Sequence, residues 1–263
     1  MLIIGERINS SRKQIAQAIS THNAGFIQSE AKAQVKAETN YIDLNAGSFI
    51  GEEAKHLKWL IEVVQEVTDR PLCIDSPDPE VIKSVLPKVK TAPMINSITL
   101  EPHRLERILP LVIEYRSKVI ALCQAEDSMA ETMEDKAEMA SKLVEKVTAS
   151  GVPLDDLYID PLVYPLATNT ESAIATLDAI EQIMKRFPGV HTTCGLTNIS
   201  YGLPNRRLVN CTFLVAAVGR GLDSAIIDPT DKALYGSLKA ALMVMGKDEF
   251  CMEYIRTFRE GRL

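Results

Sequence analysis

The chain has 263 residues, 46% of them hydrophobic and 24% charged, and a formal net charge of −6 at neutral pH. That length suits one large α/β domain or two small ones and is ample for a sizeable core. An acidic balance without a basic stripe excludes a dedicated nucleic-acid binder. No stretch reaches the ~20 apolar residues of a membrane span, and the apolar part of MLIIGERIN is too short for a signal-peptide core. The expected location is cytoplasmic, with no membrane partner.

Taken in chain order, short runs rich in Ile, Val and Leu alternate with amphipathic stretches. The first candidate strand, LIIG (2–5), exits into Glu6, Arg7 and Asn9. The second, YIDLN (41–45), carries Asp43 and ends at Asn45; GSFIG (47–51) then reads as a loop. Leu57, Leu60, Ile61, Val64 and Val67 form one face of a helix over 52–68, with Trp59 as a packing residue. PLCID (71–75) ends at Asp75 and Ser76, and is followed by the stripe Val81, Val85 and Val89. PMINS (93–97) ends at Asn96 and Ser97, and the stripe Leu105, Ile108, Leu109 and Val112 follows. KVIALC (118–123) leads into Gln124 and a helix carrying Ala137, Ala140, Val144 and Val147. LYIDP (157–161) delivers Asp160 and precedes the stripe Ile174, Leu177, Ile180 and Met184. HTTCGL (191–196) opens on His191, a structural residue at the foot of its strand, and exits through Thr197 and Asn198. SAIID (224–228) ends at Asp228; a helix over 238–245 and a terminal helix over 247–263 complete the chain.

Eight strand–helix units in this length predict a (β/α)8 barrel, with the whole of 1–263 as a single domain. The rival, a doubly wound open sheet, lacks G-x-G-x-x-G after every strand. In a barrel the C-terminal strand ends face the active site, so every strand brings a polar residue to the same mouth. Asp and Asn are also ordinary helix N-caps, but capping does not account for the whole ring.

The five cysteines form no C-x-x-C and the four histidines lie far apart, so no protein-bound metal is expected. Asp75 and Asp160 as ligands in a metal hydrolase would lack matching histidines, and no Lys ends a strand to form a Schiff base. A carboxylate accepts two hydrogen bonds side by side and therefore matches an amino-pyrimidinone edge. Asn supplies a donor and an acceptor, the match for a lactam. The ring of Asp and Asn is a cradle for a pterin or a purine.

GERIN (5–9), DLNAGS (43–48), CIDS (73–76), MINS (94–97), YIDP (158–161) and GLTNIS (195–200) occur in register on successive strands. Together they resemble the pterin-binding methyltransferases, and most of all the stand-alone methyltetrahydrofolate:corrinoid protein methyltransferases. The resemblance runs from residue 1 to about 230 and implies a TIM barrel. It implies that Asp75, Asn96 and Asp160 hydrogen-bond the pterin ring, that Asn198 sits beside pterin N5, and that Arg206 reaches the rest of the folate. Asn9, Asp43, Asn45, Ser97 and Tyr201 would be secondary lining; Tyr201 stands where relatives have a glutamine.

The resemblance implies a methyl transfer between N5 of (methyl)tetrahydrofolate and the cobalt of a corrinoid (cobalamin), in either direction, with Asn198 as the catalytic group. No D-x-H-x-x-G cobalamin-binding segment occurs, so the corrinoid would come on a partner protein; the stretch QAEDSMAET (124–132) is an expected part of the surface that meets it. A homodimer is the family's default. Two other readings are a dihydropteroate synthase-like enzyme, whose basic S-R-K segment near the seventh strand is absent here, and a non-catalytic pterin-binding subunit of a corrinoid complex.

Overall fold

Successive side chains of a strand point to opposite faces, and in YIDLN that alternation already sorts the residues. Ile42 and Leu44 are buried on the helix side, which sends Tyr41, Asp43 and Asn45 the other way. The computed structural model, which describes residues 1–126 and 130–263, shows where those two sides lie.

Eight parallel strands run β1 (Leu2–Asn9), β2 (Tyr41–Asn45), β3 (Leu72–Asp75), β4 (Met94–Ile98), β5 (Lys118–Leu122), β6 (Leu157–Asp160), β7 (His191–Thr192) and β8 (Ser224–Ile227). Their order in the sheet is β7-β6-β5-β4-β3-β2-β1-β8. The remaining edge closes just past β7, where Ile226 N–H donates to Cys194 O at 3.0 Å and Gly195 bridges to Ile226. The result is the single-domain (β/α)8 barrel expected from the repeat of strand and helix.

Around it lie α1 (Lys13–Ser20), α2 (Ala24–Lys36), α3 (Glu53–Gln65), α4 (Pro79–Val85), α5 (Pro102–Glu114), α6 (Met133–Ala149), α7 (Ser172–Arg186), α8 (Arg206–Gly219), α9 (Lys232–Val244) and α10 (Met252–Arg259). Several helices start on side-chain caps. Asp78 accepts from Glu80 N–H ahead of Pro79, Thr132 and Asp135 form a capping box, and Asp231 accepts from Ala233 and Leu234 N–H. No described helix is long and apolar enough to cross a membrane.

The core lies on both sides of the barrel wall. Outward aliphatics such as Ile42, Leu72, Ile95, Val119 and Ile159 pack under the helices. Inside the barrel Ile4, Cys73, Met94, Ile120 and Tyr158 form a separate plug, flanked by Leu2, Tyr41 and Ile226. Cys73, Cys123 and Cys194 are buried, and burial pushes all three thiols well above their usual range.

Several boundaries differ from the sequence expectation. β1 extends to Asn9 through a bulge between Gly5 and Ile8. The buried Gln34 of α2 is the cause: its Oε1 accepts from Arg7 N–H at 3.2 Å. A Cβ at residue 5 would lie 2.2 Å from that oxygen, so only glycine fits. β7 keeps two residues of HTTCGL, because the chain leaves the sheet at Gly195 and winds into a 3-10 turn over Leu196–Ser200. On α7 the buried apolar side chains are Ala175, Ala179, Ile180 and Ile183, whereas Ile174 is 45% exposed. The terminal helix is confined to α10 and packs on α9, where Arg262 and Tyr235 hold Glu38 at 3.0 and 2.7 Å.

His191 locks the foot of the barrel. Its Nδ1 lies 2.6 Å from Asp223, its Nε2 lies 3.2 Å from Asp155, and its ring stacks on Tyr158. Asp223 also accepts from Thr192 N–H at 3.0 Å. The Asp223 hydrogen bond raises the imidazole pKa above its usual value. A raised folded-state pKa gives stability that is present below the unfolded value and fades as pH rises through the folded one. His191→Ala is therefore expected to cost about 1–2 kcal/mol near pH 5.5 and progressively less as pH rises beyond the ordinary imidazole range, as read from urea denaturation at each pH.

Candidate active site

At the upper ends of the strands the inward positions change from apolar to polar. The residue above Cys73 on β3 is Asp75, the one above Met94 on β4 is Asn96, and the one above Tyr158 on β6 is Asp160. Parallel register sets Asn45, Asp75 and Asn96 side by side on three successive strands. Asp160 stands on β6, paired with Leu122 of β5. Four residues named from the sequence thus share one rim.

Their electrostatics follow from burial. Removal from water pushes Asp75 up to about 6; the Asn45 amide, donating to Oδ2 at 2.9 Å, opposes the shift, and Glu53 adds to it. Burial also pushes Asp160 up to about 6, against Leu162 N–H at 2.8 Å, the Lys136 ammonium and Gly195 N–H. Asp43 lies one layer below Asp75, 2% exposed. Burial and the Asp75 charge raise its carboxyl well above the ordinary range, and its Oδ1 has no partner among the described residues. Glu53 Oε1 and Arg104 Nε are likewise buried without partners among the described residues. Orphaned polar atoms around one opening are what a polar ligand would satisfy.

The segment after β7 forms the other wall. The Asn198 side chain is exposed and folds over Gly195, where a Cβ would meet its Nδ2 at 3.2 Å. Arg206, at the start of α8, donates to Ser200 Oγ at 3.0 Å and Thr197 O at 2.8 Å, with Tyr201 beneath its guanidinium. Tyr201 is 68% exposed.

The secondary positions divide. Asn45 accepts from Ser10 Oγ and Gly47 N–H while donating to Asp75, so it orients that carboxylate. Asn9 accepts from Ser11 N–H, a local turn contact, and Ser97 offers its carbonyl to Arg104 at 2.9 Å. Within the stretch 124–132, residues 127–129 lie outside the described residues.

Two groups at the mouth were not among the site residues taken from the sequence. Glu6 occupies the inward parity of Leu2 and Ile4, one step above them, and that was the available signal. Burial and Asp228 push it up to about 7, against Arg12, Arg206 and a hydrogen bond from Thr197. Lys136 is fully buried below the rim. Its signal was the spacing Lys136, Ala140, Leu143 and Val147, which puts a lysine on the core face of α6. Among the described residues no cluster of three or more His, Cys, Asp or Glu side chains is arranged to hold a metal.

Residues 5–228 match the family of pterin binding enzymes. The chain is 36% identical to the methylcorrinoid:tetrahydrofolate methyltransferase of Eubacterium limosum, over 100% of this chain and 98% of that protein. It is 32% identical to the methionine synthase of Mycobacterium leprae over 86% of this chain, which spans only 20% of that longer protein. Among solved structures, dihydropteroate synthase of Xanthomonas albilineans superposes with a TM-score of 0.71, covering 93% of each chain at 17% identity, a likeness of fold.

A carboxylate raised by burial lowers the stability of the ligand-free fold once it ionises. With a folded pKa of about 6 against an ordinary value of 3.8, Asp160 favours folding less as pH rises through that interval. Asp160→Asn, which keeps an acceptor for Leu162, is expected to gain about 2 kcal/mol relative to the parent between about pH 4 and pH 7.5. Paired thermal melts across that range test it; a difference independent of pH would show that Asp160 is not desolvated.

Proposed function

We propose that this chain, which belongs to the pterin-binding enzyme family, is a methyltransferase working between N5 of tetrahydrofolate and the cobalt of a corrinoid on a partner protein. The observation that carries the reading is the rim of Asp75, Asn96 and Asp160, combined with likeness along its whole length to a methylcorrinoid:tetrahydrofolate methyltransferase. That relative's name favours transfer toward tetrahydrofolate. The fold likeness to dihydropteroate synthase is compatible with it, since both use a pterin pocket in a barrel.

In this reading Asp75 and Asp160 accept from the N–H groups of the pterin edge, and Asn96 serves its lactam. Each raised carboxylate regains hydrogen bonds that burial has taken from it, which favours binding of a ligand with paired donors. Asn45 keeps Asp75 turned to the mouth. Arg206, already fixed by Thr197 and Ser200, offers its remaining N–H groups to the rest of the folate.

The corrinoid carries the methyl group and receives the electron pair of its carbon–cobalt bond when that bond breaks. The N5 lone pair forms the new bond to carbon, and the proton on N5 leaves. N5 thereby changes from donor to acceptor. The amide of Asn198 meets both states, presenting Oδ1 to N5–H and Nδ2 to the methylated nitrogen. A carboxylate or an ammonium would favour one state alone. Asp75, Asp160 and Glu6, raised to about 6, 6 and 7, are within range of neutral pH to take the released proton through water.

In this reading the partner-borne cofactor meets the barrel at the upper strand ends, and a homodimer is the assembly the family suggests. Asn198→Ala is expected to slow transfer about tens to thousands of fold while tetrahydrofolate still binds. Stopped-flow mixing with a methylated corrinoid protein and tetrahydrofolate reads the rate; full activity would remove Asn198 from the mechanism. Tight folate binding with no transfer in either direction by the parent protein would make it a non-catalytic pterin-binding subunit.

A further inference from the structure

We propose that Lys136 is a positioning residue for pterin recognition, acting on Asp160 through a single peptide group. This rests on the reading above that Asp160 grips the pterin. Lys136 has no exposed surface. Its ammonium has three protons, and it donates to three backbone carbonyls: Ala130 O at 2.9 Å, Pro161 O at 2.7 Å and Leu162 O at 2.7 Å. The ring of Tyr164 lies 5.0 Å away on a further side.

The decisive contact is the one to Pro161. Its C=O belongs to the same planar peptide unit as Leu162 N–H. In a trans peptide those two bonds point in opposite directions. The oxygen end is held by Lys136, and the N–H end donates to Asp160 Oδ1 at 2.8 Å. One rigid amide therefore connects a buried cation to the carboxylate at the mouth. A positive charge at the carbonyl draws electron density along the amide and strengthens the N–H as a donor. The second contact, to Leu162 O, fixes the next peptide and holds Leu162 at φ +62°, a left-handed conformation that a leucine does not adopt without help.

The chain pays for burying this ammonium: removal from water lowers its pKa to about 8, against the pull of Asp160, Asp135 and Glu131. A methionine or leucine would pack the same helix face without that cost. What the cation adds is orientation. It sets the plane of the 161–162 peptide, and that plane sets which way Asp160 presents its oxygens. The sequence places Asp160 at the strand end; Lys136, on the preceding helix, aims it.

A double-mutant cycle on ligand affinity tests the link, with tetrahydrofolate as the probe and calorimetry as the measurement. Lys136→Met is expected to weaken binding roughly tenfold in the parent, the scale of one charge-assisted hydrogen bond. In an Asp160→Asn background the same substitution is expected to change affinity less than about twofold, since the group it acts through has lost its charge. Lys136→Gln, which keeps N–H donors for the carbonyls, is expected to fall between.

Equal losses in both backgrounds would overturn the proposal, because damage to the fold at large carries over where an aimed effect does not. An unchanged affinity for Lys136→Met would overturn it as well. Should neither Lys136 variant fold, the side-chain ammonium signal of Lys136 in 15N-labelled parent and Asp160→Asn proteins decides: a shift between them supports the link, and coincidence rejects it. If the parent protein fails to bind tetrahydrofolate at all, the pterin reading falls first, and that result is distinct from parent binding with an indifferent Lys136.

Discussion

Closing a parallel sheet into a barrel turns the two faces of each strand into two different solvents. Outward positions meet helices and must be aliphatic; inward positions meet one another, low in the barrel, and the ligand, high in it. YIDLN obeys both demands in five residues, with Ile42 and Leu44 outside and Tyr41, Asp43 and Asn45 inside. The same parity puts Cys73 beneath Asp75 and Met94 beneath Asn96. The polar mouth is thus the upper end of the same alternation that makes the core.

That arrangement sets stability against binding. Asp43, Asp75, Asp160 and Glu6 are all raised by removal from water, so the ligand-free barrel holds acids that would rather stay protonated. The aliphatic packing outside the barrel wall supports this burden. At the foot, the His191–Asp223 clamp provides the opposite case, a charged pair that favours the folded state. The molecule is anchored below and strained above, as expected where a site must leave partners unsatisfied until a ligand arrives.

Most of the fold was legible because strand and helix periods differ and each unit repeats them. What escaped was local and three-dimensional. The length of β1 depends on Gln34, which reaches in from α2 to complete a bulge; no periodicity along residues 2–9 announces it. The seventh strand ends early because Gly195 turns the chain, although HTTCGL reads as continuous. In the site, strand-end carboxylates and amides stood out by type and position. Glu6 was read at the exit of the first strand but not taken into the site, because the bulge beyond it obscured the strand's true end. Lys136 did not stand out, because a lysine in a helix reads as solvated unless its spacing is checked against the buried face. Asn45 was taken as lining, and its partners show an orienting role for Asp75.

The buried cysteines acquire a chemical meaning beside such a mouth. An activated methyl carbon is attacked readily by sulfur, but the anion does the attacking and the neutral thiol scarcely competes. Cys73 lies directly under Asp75, Cys194 precedes the turn that carries Asn198, and Cys123 follows β5; burial keeps a proton on each. A thiol kept protonated inside such a wall is a poor nucleophile, however near it lies to the barrel's polar end.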